Sequence, residues 1–306
     1  MDGILIINKP QWYTSFDVVA KCRKVLGTKK IGHTGTLDPM ATGVLVVCVG
    51  KATGLVNVLT SEDKIYRTTI KLGIKTDTGD MAGKIIGKEE NPVIEKEHLS
   101  DITKKQFDSN MEYLANNCPK FDISKSKIEE VFNSFIGKQN QIPPIYSSIK
   151  VDGKKLYDYA REGKKVEIPP REIEVFDIYD IEWNNENELS YTVHCSKGTY
   201  IRTLNEDIAT KLGAVGTTMA LERIKTGDFC LENATDIEDV SKEFIIPIEE
   251  LFNDRIEIDE RNENKLLNGM PIDVSNDDGI YNLYINNNYY GLGKVINKKL
   301  KRFIIL

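Results

Sequence analysis

Lys30–Val49, KIGHTGTLDPMATGVLVVCV, places a single carboxylate, Asp38, in a stretch built first to turn and then to be buried. Gly32, Gly35 and Gly43 supply backbone freedom, Pro39 fixes its own φ, and His33, Thr34, Thr36 and Thr42 offer local hydrogen bonds. The apolar, β-branched run Val44–Val49 that follows reads as a buried strand. An acid held on a loop anchored to a core strand is a common placement for a catalytic side chain. An Asp-Pro step after a Gly/Thr cluster is equally a plain turn signal, so the rest of the chain has to decide.

With 306 residues and 40% hydrophobic content, the chain can bury one large domain and a smaller one. The opening MDGILIINKP has no basic segment leading into a long apolar one, and no window reaches the ~18 apolar residues of a membrane span. A cytoplasmic protein without a membrane partner is therefore expected. The five cysteines are widely spaced with no CxxC pair, which signals neither a disulfide framework nor zinc, and only three histidines are present. No metal is expected.

The net charge of −6 is unevenly spread. Residues 231–280 hold fifteen acidic and four basic side chains, the last 26 residues five basic and no acidic ones, and Lys21–Lys30 five basic and no acidic ones. Local basic patches on an acidic chain rule out an indiscriminate coat for polyanions and leave room for a selective RNA partner.

In chain order, Gly3–Asn8 reads as a strand. A helix follows, capped by Thr14 or Ser15, with Val18, Val19, Cys22, Val25 and Leu26 on its apolar stripe and Gly27 as its stop. Ile65–Gly73 alternates as a half-buried strand with Tyr66, Thr68, Ile70 and Leu72 on one side. Gly73–Gly83 is a polar turn cluster. Lys88–Lys125 is charged, with one weak helical pattern (Phe107, Met111, Leu114), and reads as a peripheral insertion. Ile128, Val131, Phe132, Phe135 and Ile136 predict a helix closed by Gly137.

Gln141–Arg171 interleaves seven Lys/Arg and four acids with Tyr146, Tyr157 and Tyr159. That pattern suits a surface that holds phosphates and stacks on bases, and equally a solvated segment with its tyrosines turned inward. Ile173–Trp183 and Leu189–Cys195 read as strands. A helix then runs from near Thr199 to Gly213 with Arg202 in its first turn, where a cation opposes the helix dipole and calls for a carboxylate partner. Thr217–Phe229 is strand-like and carries Leu221 and Arg223. The acidic segment Glu232–Asp278 holds a linker and a helix, and Tyr281–Ile285, Tyr290–Ile296 and Phe303–Ile305 form a small C-terminal β module.

Four motifs in this order, GHTGTLDPMATGVL (32–45), YRTTIKLG (66–73), CSKGTYIRTL (195–204) and LERIKTGDF (221–229), resemble those of the TruB-type tRNA pseudouridine synthases. Lys9-Pro10, QIPPIYSSIK and LYDYAREG match as well. The resemblance implies an α+β fold in which residues 1–235 form the catalytic domain, a central mixed, largely antiparallel sheet flanked by helices. It implies an RNA-binding thumb at about 141–171, and residues 236–306 as a PUA-like RNA-binding module. The stretch of about 91–125 is an insertion beyond the family core, with no assigned role. Asn8 and Trp12 depart from the family's usual aspartate and glycine.

The implied reaction isomerises uridine 55 in the T-arm of tRNA. The glycosidic C–N bond breaks, the detached uracil rotates, and it rejoins through carbon, with no cofactor. Asp38 takes the place of the family's nucleophile, whose covalent intermediate divides the hard step; attack on ribose or on base is left open. A carboxylate in a dry pocket needs a counter-charge, expected from Arg202. Tyr66 is implied to stack on the flipped base and to move a proton, and Leu221 to wall off water. His33 is implied to fill space in the T-loop, with Lys9, Tyr146, Lys150 and Tyr200 as further substrate-binding residues.

Neither a guide RNA nor an obligate protein partner is implied. Two alternatives use a similar surface: an RNA-binding or RNA-folding protein without turnover, and a guide-RNA-dependent relative. The first does not need Asp38, Tyr66 and Arg202 together. The second fits the short acidic C-terminal part and the thumb segment less well.

Overall fold

Two strands with no polar face set the centre of the molecule. The computed structural model describes residues 2–87, 104–117, 121–147, 149–164, 166–184 and 187–306. Its first elements are β1 (Gly3–Lys9), α1 (Ser15–Leu26), β2 (Ile31–His33), β3 (Thr42–Val49) and β4 (Lys64–Leu72). Then come α2 (Lys104–Asn117), α3 (Lys125–Asn133), β5 (Gly137–Gln141), α4 (Leu156–Arg161), β6 (Arg171–Trp183), β7 (Glu188–Cys195), α5 (Ile201–Lys211) and β8 (Gly216–Thr226).

The main sheet runs β1-β3-β8-β4-β7-β6-β5. Every pair along that path is antiparallel except β3 with β8, so the sheet is mixed and largely antiparallel. Continuous apolar runs in β1 and β3 are the pattern of strands covered on both faces. α1 buries Val18, Val19, Cys22 and Leu26 against Leu5, Ile7, Leu45 and Val47 on one face. On the other, Ile4, Ile6, Val44 and Val46 meet Leu55, Leu59, Leu292 and Ile304. α3 and α5 cover β4, β6 and β7 around Tyr191, Phe132 and Leu204.

Local details sharpen the sequence expectations. Thr14, not Ser15, caps α1, in a reciprocal capping box with Asp17. Val25 falls off the apolar stripe and is 46% exposed. α3 stops at Asn133, short of its apolar pattern: Phe135 stays buried through a turn, Ile136 is 43% exposed, and Gly137, at φ 108°, opens β5 instead of closing the helix. Within the insertion, 91–103 and 118–120 lie outside the described residues, and α2 occupies 104–117.

The C-terminal part is a five-stranded sheet built from β9 (Arg255–Ile258), β10 (Ile272–Asp273), β11 (Gly279–Ile285), β12 (Asn288–Ile296) and β13 (Lys299–Ile305), with α6 (Glu260–Leu267) beside it. The three expected strands are joined by two that the acidic segment concealed. β9, whose RIEI alternates exposed and buried, pairs in parallel with β11. Asn286-Asn287 and Asn297-Lys298 turn the two hairpins with positive φ, a backbone that asparagine tolerates.

Candidate active site

The loop between β2 and β3 is tied down at several points. Thr34 N–H donates to Val46 O at 3.1 Å, and Leu37 N–H donates to the Ser15 hydroxyl at 2.9 Å, so the first residue of α1 steadies the loop. Trp12 N–H donates to Pro39 O at 2.7 Å, and Ala41 N–H to Asp38 O at 3.0 Å. Gly43 has φ 98°, and a Cβ there would stand 2.3 Å from Arg223 O. Only glycine allows β3 and β8 to approach so closely at this point. Trp12, where the resembling family usually has glycine, also sits in the left-handed region, at φ 70°.

Asp38 meets Arg202 across this loop. Arg202 Nε lies 2.8 Å from Asp38 Oδ2, and Nη2 donates to Oδ1 at 3.3 Å, a two-pronged ion pair. The Arg202 side chain is 5% exposed and that of Asp38 31%, so the acid opens outward while its counter-charge stays inside. Arg202 also donates to Thr78 O at 2.6 Å and to Tyr146 O at 2.9 Å. Burial alone would lower the guanidinium, but Asp38, Asp80 and Glu206 outweigh it and hold the Arg202 pKa above its usual value. The carboxylate that a cation in a helix's first turn called for is Asp38. α5, which carries Arg202, is fixed to the sheet by Asn205, whose amide donates to Thr68 and Thr218 and accepts from the Tyr191 hydroxyl at 2.6 Å.

Two buried charges carry roles that the sequence did not assign. Asp80 lies 3.8 Å from Arg202 Nη1 and is 1% exposed. It was hidden in a Gly/Asp/Thr cluster that looks like any turn. Burial pushes its carboxyl up to about 6, against the pull of Arg202. Arg223 stands two residues beyond Leu221, so alternation along β8 sends both side chains to one face. Its Nε donates to Val44 O at 2.7 Å and its Nη2 to Gly35 O at 3.1 Å.

Tyr66 and Leu221 are buried in one cluster with Leu37 and Ala41 of the loop, which brings a ring and an apolar wall to the same place as the acid. Burial raises the Tyr66 phenol; a hydrogen bond and charge from Arg223 oppose that rise. Tyr200 precedes α5, and its backbone exchanges hydrogen bonds with the Gln141 side chain. Tyr146 reaches the site through its carbonyl, on Arg202. His33 Nδ1 accepts from Gly35 N–H at 3.4 Å, and burial, then Arg223, keep the ring's pKa low. Lys9 is fully buried, and its ammonium donates to Pro10 O, Tyr13 O and Pro39 O, so it braces the loop from beneath. Burial drops its pKa to about 8, with Asp38 opposing. Lys150 is exposed on the hairpin Lys150–Lys155, away from this cluster.

No group of three or more metal-binding side chains occurs among the described residues, and none of the described helices is long and apolar enough to cross a membrane. The arrangement sets a carboxylate at the edge of an apolar cluster that holds a phenol, backed by a buried guanidinium. Such a group can attack an electrophilic carbon.

The family-model match and the sequence relatives agree on one family. The family described as "TruB family pseudouridylate synthase (N terminal domain)" matches residues 23–115 and 101–201. A "tRNA pseudouridine synthase B" of Clostridium tetani is 39% identical over 313 residues, covering 98% of each chain. One from Francisella philomiragia is 37% identical over 314 residues, covering 98% of this chain and 94% of its own. Among solved structures, an H/ACA RNP bound to a substrate RNA containing 2'-deoxyuridine superposes with a TM-score of 0.65 at 19% identity, over 99% of this chain and 85% of that one. A Cbf5-Nop10-Gar1 complex gives 0.64 at 21%, over 99% and 83%. At those identities the two structures speak for the fold alone.

Proposed function

The chain belongs to the TruB family of pseudouridine synthases, and from that premise we propose that it isomerises uridine 55 in the T-arm of tRNA, without a guide RNA. The uridine leaves its stack to enter the pocket. Asp38 attacks as nucleophile and forms a covalent intermediate, the bond from N1 to the ribose breaks, and uracil turns within the pocket. C5 then bonds to the ribose, the bond to Asp38 breaks and returns its carboxylate, the proton on C5 leaves, and N1 gains one, so the atoms balance with no added reagent.

Arg202 holds the Asp38 carboxylate in place by a two-pronged ion pair, which fixes its orientation for attack. Tyr66 takes the ring-stacking and proton-moving role. Leu221, with Leu37, keeps water from the intermediate. Tyr146, Tyr200, His33 and Lys150 serve the RNA around the pocket, and the enzyme acts on tRNA in the cytoplasm without an obligate protein partner.

The observation that carries this reading is the two-pronged Asp38–Arg202 pair facing a buried tyrosine and leucine. A pure binding surface needs no such pair. The test is incubation of the purified protein with an unmodified tRNA transcript and no guide RNA, followed by pseudouridine mapping. Pseudouridine at position 55 is expected; an unmodified uridine there overturns the reading.

A further inference from the structure

The helix of the insertion, α2, touches the turn that carries Asp80 and, at Trp12, the segment that braces the Asp38 loop; both carboxylates meet Arg202. Its Asn110 is buried, 2% exposed, and its amide donates to Met81 O at 2.9 Å and Gly83 O at 2.7 Å. The Asn110 oxygen accepts from Gln106 one turn earlier, which fixes its orientation. Met81 and Gly83 close the turn that wraps Asp80: Ala82 N–H donates to Asp80 Oδ1 at 3.0 Å and Gly83 N–H to Asp80 O at 3.1 Å. Leu114 buries itself against Ile74 and Met81 in the same place, with Phe107 and Met111 packed beside them.

Phe107 makes a second contact. Its ring stands edge-on to Trp12, with centroids 5.4 Å apart. Trp12 is the residue whose N–H holds Pro39 O, next to Asp38, from a left-handed backbone that an aromatic residue rarely adopts. A contact that fixes the Trp12 ring also fixes an unfavourable backbone and the hydrogen bond it presents.

We propose that α2 is a positioning element, a strut between the Asp80 turn and the Asp38 loop that holds both carboxylates at the spacing Arg202 requires. This rests on the reading of Asp38 and Arg202 as the reacting site. The charges are close enough that a small movement of either loop breaks the two-pronged pair: Asp38 lies 2.8 Å from Arg202 and Asp80 3.8 Å. Displacements of an ångström at a reacting group slow catalysis by up to about 100-fold.

The experiment compares Asn110→Ala, Phe107→Ala, Phe107→Tyr and the exposed Lys105→Ala with the wild type, all as full-length chains. Three readouts are taken: single-turnover pseudouridine formation, affinity for the transcript, and hydrogen–deuterium exchange at 34–41 and 77–83. Asn110→Ala and Phe107→Ala are expected to slow turnover about 10- to 100-fold while affinity stays within about threefold, and to raise exchange in both loops. Phe107→Tyr and Lys105→Ala stay near wild type. Folded variants with wild-type turnover and exchange overturn the strut, as does a loss confined to affinity. If Asn110→Ala does not fold, the partly exposed Phe107 pair decides by the same criteria. A wild type that makes no pseudouridine defeats the functional reading, while the exchange data still judge the strut.

Discussion

Arg223 and Tyr66 stand opposite each other across the β8/β4 ladder, and the guanidinium whose charge opposes the rise of the phenol's pKa also grips the carbonyls of Gly35 and Val44. One buried cation therefore joins the tyrosine to the loop that carries the acid. Arg223→Met removes the donors of both carbonyls and is expected to destabilise the fold by about 2–5 kcal/mol, as judged by urea unfolding. It also removes what opposes burial at Tyr66, so the phenol titrates higher still. An unfolding midpoint equal to that of the wild type would show that this hub is dispensable.

Asp38→Asn keeps the shape of the loop and takes away the nucleophile. Affinity for the transcript should remain within about threefold, while isomerisation falls by a factor on the order of 10⁴ or more. Product at position 55 at anything near the wild-type rate would falsify the assignment.

Asp80 carries a pH signature. Its carboxyl is raised from 3.8 to about 6, with burial the main cause, so the folded protein holds that proton more tightly than the unfolded chain. The stabilisation from the proton is complete below pH 4 and disappears as pH rises through 6. Asp80→Asn carries no proton to lose. The wild type should therefore lose about 2–3 kcal/mol more than the variant between pH 4 and pH 7, because groups common to both cancel. Parallel urea-derived profiles for the two proteins would contradict this.

Gly43→Ala places a methyl group 2.3 Å from Arg223 O on a backbone at φ 98°. Backbone on both sides leaves nothing flexible to yield. A loss of about 3 kcal/mol or more is expected, visible as a large drop in melting temperature or as insoluble protein.

Much of this architecture could be read in advance, because it is encoded in short range. The apolar runs of β1 and β3, the Thr14–Asp17 capping box and the asparagine hairpins each depend on a few adjacent residues. The turn around Asp38 was legible in its glycines and threonines, its chemistry only in the family resemblance, and the need of Arg202 for a carboxylate partner in its place at a helix start. The roles of Asp80 and Arg223 were not. Their distinction lies in burial and in partners more than a hundred residues away, and their local sequences read as an ordinary turn and an ordinary strand. The end of α3 was missed for another reason. Phe135 and Ile136 continue a helical spacing, but Gly137 takes a left-handed backbone where the chain must enter β5.

The crowding around Arg202 has a consequence for how RNA is gripped. A guanidinium offers five N–H groups. Here Nε and one N–H of Nη2 engage Asp38, the other N–H of Nη2 engages Tyr146 O, Nη1 engages Thr78 O, and Nη1 also faces Asp80. A side chain only 5% exposed and turned toward these protein groups presents nothing to a phosphate, so it releases no counterion when tRNA docks. The salt dependence of tRNA affinity should therefore be set by exposed cations elsewhere and be indifferent to Arg202, which keeps the electrostatics of capture separate from those of the reaction.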